Sequence, residues 1–145
     1  MKTTVQPKTS LQGTILEYVI EQLPIDFNQG RQPTLAYFLC PNKAFAFITM
    51  SVRHPEFEEM SGRAMLIVWV DGDNICMPHN FIWGNAQHTC RDNIMRGDTY
   101  PLNKMLRRRV IAYSLSDPEA VNNVVNAILK IVPDKYRNDL AINLP

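Results

Sequence analysis

The sequence is short of the residues on which most small catalytic and metal-binding domains are built. Only three cysteines and three histidines occur in 145 residues. An odd and small cysteine count makes no disulfide framework, and a chain of this length buries enough apolar surface to fold without one. A reducing cytoplasm is therefore the expected compartment. Six glycines, thinly spread, leave no phosphate cradle, and neither G-x-G-x-x-G nor a Walker sequence is present. That argues against a nucleotide enzyme of the standard kind. No apolar run approaches the ~18 residues of a membrane span, and MKTTVQPKTS has no apolar segment behind its lysine, so neither a spanning helix nor a secretory leader is expected. Charge of one sign is missing too. Fifteen basic groups against fourteen acidic ones give a net +1, so no global field draws in nucleic acid or an anionic membrane.

What remains is an ordinary folding composition: 46% hydrophobic and 20% charged residues, far from the low-hydrophobicity signature of disorder. One domain spanning 1–145 is expected, with tails at 1–9 and 134–145. Ser10 is placed to cap a helix through Leu23, because Leu11, Ile15, Leu16, Val19, Ile20 and Leu23 fall on one stripe and Pro24 stops it. Leu35–Cys40 and Ala44–Val52 are aromatic and β-branched runs separated by a short polar connection, the pattern of a hairpin. RAMLIVWV, Arg63–Val70, is almost continuously apolar, as a strand covered on both faces must be, and Asp71-Gly72 turns the chain back into Ile75–Met77.

From His79 to Tyr100 the apolar residues fit neither the helical nor the strand period. A strand over Val110–Leu115 follows. The last helix is the plainest element: Ser116 and Glu119 have capping-box spacing, Pro133 ends it, and Val121, Val124, Val125, Ile128, Leu129 and Val132 make an apolar stripe that must be buried. Together these predict an α+β fold, a four- to five-stranded, mainly antiparallel sheet on which an N-terminal and a C-terminal helix pack.

The densest chemistry lies in CMPHNFIWGNAQHTC, Cys76–Cys90. Cys76, His79, His88 and Cys90 form C-x2-H-x8-H-x-C, and zinc takes four such ligands in a tetrahedron. The second pair is feasible only in a strand, since two positions of a helix separate side chains by roughly 200°. A cysteine nucleophile is the related alternative. Cys90, beside Arg91 and two positions from His88, is its best local candidate, while Cys40, Cys76, His54 and His79 would need to converge in space. No catalytic family signature is complete.

Two charged patches stand apart. Lys104, Arg107, Arg108 and Arg109 form a basic cluster, which would neutralise phosphates in a nucleic-acid protein, yet no aromatics interleave with it as in a base-stacking platform. HPEFEEMSG carries Glu56, Glu58 and Glu59 around Phe57 and Met60, an apolar anchor ringed by charge. Phe81 and Trp83 stand in a polar stretch where an aromatic ring serves as an anchor.

Complementary patches, one compact domain and no complete catalytic motif favour a small cytoplasmic protein-binding module, an inhibitor, immunity factor or adaptor. Its expected contacts are Glu58, Glu59, Trp83, Arg107, Arg108 and Arg109, with no cofactor or metal. Nucleic-acid binding through Lys104–Arg109, and a cysteine/histidine enzyme or zinc site over Cys76–Cys90, are the alternatives.

Overall fold

A computed structural model of the chain describes residues 11–39, 43–54, 56–83, 86–95 and 110–138. Among them are six strands and three α-helices in the order α1 (Leu11–Glu21), β1 (Thr34–Leu39), β2 (Lys43–Val52), β3 (Gly62–Asp71), β4 (Asn74–Pro78), β5 (Ile82–Trp83), α2 (Ala86–Met95), β6 (Val110–Ser114) and α3 (Ala120–Ile131). The sheet runs β1-β2-β3-β4-β6, with β5 pairing on β3 beyond the end of β4. Every pairing is antiparallel. This is the α+β fold that the sequence predicts.

The apolar continuity of β2 and β3 places them in the middle, where both faces are covered. One face is aliphatic. Ala46, Ile48 and Met50 of β2, with Leu66, Val68 and Val70 of β3, are buried beneath Leu16, Val19 and Ile20 of α1 and Val124, Val125 and Ile128 of α3. The two terminal helices thus share that face, α1 lying over β2 and β3 and α3 over β4 and β6. The other face is aromatic. Phe45 and Trp69 are register partners whose rings stack at 6.5 Å, and they pack with Phe47, Met65, Ile67, Cys76 and Ile94 of α2.

Several local expectations change. Ser116 and Glu119 do not form a capping box. Ser116 pairs with Ser114 through their hydroxyls at 2.8 Å, and the Glu119 N–H donates to the Asp117 carboxylate at 2.9 Å, so a turn carries the chain into a helix that starts only at Ala120. Ser10 lies outside the described residues, and α1 ends at Glu21, with two 3-10 type bonds continuing it to Leu23. The segment from residue 134 begins with a 3-10 turn, Asp134–Tyr136, fastened to the sheet: the Tyr136 hydroxyl accepts from Ser51 N–H at 3.1 Å and donates to Ser51 C=O at 2.8 Å. Among the described residues no helix is long and apolar enough to cross a membrane.

Candidate functional site

At one end of the sheet, β2 runs out into the acidic loop and β5 crosses the start of β3. The loop is organised by His54. Its Nδ1 accepts N–H bonds from Glu56 at 3.1 Å and Phe57 at 2.9 Å, and its backbone N–H donates to the Ser61 hydroxyl at 2.9 Å. A ring acceptor so occupied is a structural element of the loop rather than a free general base. The same ring touches Phe57, at 5.4 Å between centroids, and Trp83, at 4.7 Å. Trp83 in turn meets Phe81 edge-on at 5.9 Å. Trp83 is brought there by β5, which sets it opposite Ala64 on the aliphatic face of the sheet.

The result is a row of four rings from one loop to the next. Its outer member, Phe57, is 50% exposed and, with Leu11 and Tyr18, one of three exposed large hydrophobic side chains among the described residues. Its inner members, Trp83 and Phe81, line a groove of about 460 Å³ together with Arg53, His79, Lys130 and Pro133. Glu58 is held by Arg53 at 2.8 Å, an exposed pair of small energetic weight that fixes the loop's orientation more than its stability. Glu56 and Glu59 are exposed and, among the described residues, have no ion-pair partner. The structure therefore brings Glu58, Glu59 and Trp83 to one end of the molecule. Lys104, Arg107, Arg108 and Arg109 lie outside the described residues.

The zinc arrangement is not formed by the described residues. His88 and Cys90 belong to α2, two positions apart and so roughly 200° around the helix axis. Cys76 is a free thiol buried on the aromatic face beside Trp69, whereas His79 is exposed at the groove behind Phe81 and Trp83. No group of three or more metal-ligating side chains occurs among the described residues. Burial, reinforced by the Asp71 carboxylate, pushes the Cys76 thiol up to about 11. It is protonated at neutral pH, the opposite of what a nucleophilic cysteine requires. Cys40 lies outside the described residues.

Sequence reading missed two features. His54 was weighed as a base, and only its ring contacts and loop bonds identify it as the link between Phe57 and Trp83. Arg31, Arg63 and Arg91, from separate elements, line one cavity and have no sequence signature at all. The structure is an α+β domain with a ring-lined groove at one end of its sheet. The chain matches no family model, no curated protein and no solved structure.

Proposed function

We propose that this protein is a small binding module, acting in the cytoplasm as an inhibitor, immunity factor or adaptor, whose recognition surface is the row Phe57–His54–Trp83–Phe81 and the acidic loop around it. The observation that carries the reading is the continuity of the row. An exposed phenylalanine is joined through the His54 ring to a half-buried tryptophan that opens on a groove. Aromatic anchors set beside a pocket and rimmed by charge are the usual composition of binding hot spots.

Charge selects the partner's chemistry. Glu56 and Glu59 flank the exposed ring with carboxylates that have no ion-pair partner among the described residues, so the complementary surface is a protein segment with an apolar side chain beside lysine or arginine. The apolar side chain would enter the groove against Trp83 and Phe81, and the basic residues would steer the encounter. Arg107, Arg108 and Arg109 remain proposed contacts on sequence grounds. The free, buried Cys76 and the odd count of three cysteines support a reducing compartment.

The test is capture of a partner by tagged protein and by surface variants that leave the core alone. Phe57→Ser and Glu59→Lys are each expected to release a stoichiometric partner while the melting temperature stays unchanged. Leu11→Ser, which removes a 66%-exposed apolar side chain from the other end of the molecule, is expected to keep it. Retention by both loop variants would reject this surface.

A further inference from the structure

On the aromatic face, at the same end of the sheet, a cavity of about 260 Å³ is lined by three arginines. Arg31 comes from the loop before β1, Arg63 from the second position of β3 and Arg91 from α2. The floor is a row across the sheet, since Thr34 pairs with Thr49 and Thr49 with Met65 in register. Thr49 sits two positions beyond Phe47 on the face that otherwise carries the aromatic core, and it is one of three buried polar residues among those described. The other two, Gln87 and Asn93, are both on α2, the helix that packs on this side.

Two of the three arginine side chains have a partner. The Arg91 guanidinium lies over the Phe47 ring at 4.9 Å, and the Arg31 Nε donates to the Gln29 side-chain carbonyl at 2.9 Å. The Gln87 side-chain amide donates to the Arg63 carbonyl at 2.7 Å, tying α2 to β3 one helical turn before Arg91. None of the three has a carboxylate within ion-pairing distance among the described residues. Among the described residues no acidic side chain lines the cavity. Three arginines lining one recess repel each other, and among the described residues no Asp or Glu lines the recess or pairs with them to relieve that.

We infer that this cavity is a binding site for the phosphoryl group of a small phosphomonoester. Guanidinium forks match phosphoryl oxygens in pairs, and three of them suit a dianion with three free oxygens better than a single carboxylate or the backbone of a polymer. The Thr34 and Thr49 hydroxyls supply neutral hydrogen-bonding groups at the floor, and Met65 offers an apolar wall for the organic part. The site stands on the opposite face from the ring row and independently of the partner reading.

The experiment is titration calorimetry at low salt with inorganic phosphate and pyrophosphate as probes, repeated on Arg63→Gln, Arg91→Gln and Arg53→Gln. Saturable one-to-one binding is expected, weakened roughly 10- to 100-fold by either of the first two changes and untouched by the third. Should Arg91→Gln lose structure with its contact to Phe47, the exposed Arg63 alone decides. Absence of saturable binding would overturn the inference, as would equal weakening by Arg53→Gln, which reports a diffuse charge effect. An oligonucleotide that binds where both probes fail, with Arg63→Gln without effect, would overturn it in favour of a polymer bound elsewhere.

Discussion

The two ends of the sheet are built differently. At one, β3 returns into β4 through Gly72 and Asp73 alone, and the turn is braced on all sides: Lys43 pairs with Asp71 at 3.7 Å, Leu115 N–H donates to Asp73 C=O at 2.8 Å, and the Gln12 amide reaches Gly72 C=O at 3.5 Å. Gly72 has φ +58° and Asp73 has no positive φ, the signature of a type II′ hairpin turn with glycine in its first central position. At the other end, β1 and β3 begin and β2 and β4 stop, and the connections are longer. Three cavities lined by described residues open there, of about 520, 460 and 260 Å³. Tight turns leave little concavity to fill, whereas longer loops on a sheet can hold side chains around one, which is why the proposed recognition surface is assigned to the loop end.

The largest effect is expected between the ends, where stability resides. Leu66 is fully buried in β3 opposite Ile48, beneath α1 and α3, and Leu66→Ala should cost about 2–5 kcal/mol in denaturant unfolding. Both ends would then fail together, erasing the contrast. A cost below about 1 kcal/mol would mean that these central rows are not the core. The smaller effects separate the ends. Gly72→Ala meets no neighbouring atom, so its cost is the left-handed backbone alone, roughly 1–2 kcal/mol, with partner and phosphate binding retained. Phe57→Ser at the loop end should change stability by no more than about 0.5 kcal/mol while abolishing partner capture. Reversal of that order would place function at the turn end and stability in the loop.

Much of this division can be read from residues. The meander β1–β4 follows from period and turn chemistry, and α3 from its stripe, because each of these elements buries apolar side chains at its own spacing. The region from residue 79 to 95 was illegible for a physical reason. β5 is only two residues long, with Ile82 and Trp83 on opposite faces, and of the side chains described on α2 those buried are Gln87, Asn93 and Ile94, so neither element presents an apolar rhythm. Cysteine and histidine count directed attention to that region, and the helix then separated His88 from Cys90. Phe57 and Trp83 are each readable in the sequence as aromatic side chains among polar residues, but their meeting through His54 depends on the register of β5 on β3. The arginine cavity draws on positions 31, 63 and 91, spaced about thirty residues apart on a loop, a strand and a helix, and no local pattern joins them.

The contrast between the ends can be tested on the intact protein by placing a photo-crosslinking phenylalanine analogue at position 57 or at position 11. Both sites are exposed, at 50% and 66%, and they lie at opposite ends of the sheet. Irradiation in the native cell is predicted to give one dominant adduct from position 57, mapped to a partner segment with an apolar side chain beside lysine or arginine, and none from position 11. Equal labelling from both positions, or no adduct from position 57, would contradict the claim that recognition belongs to the loop end.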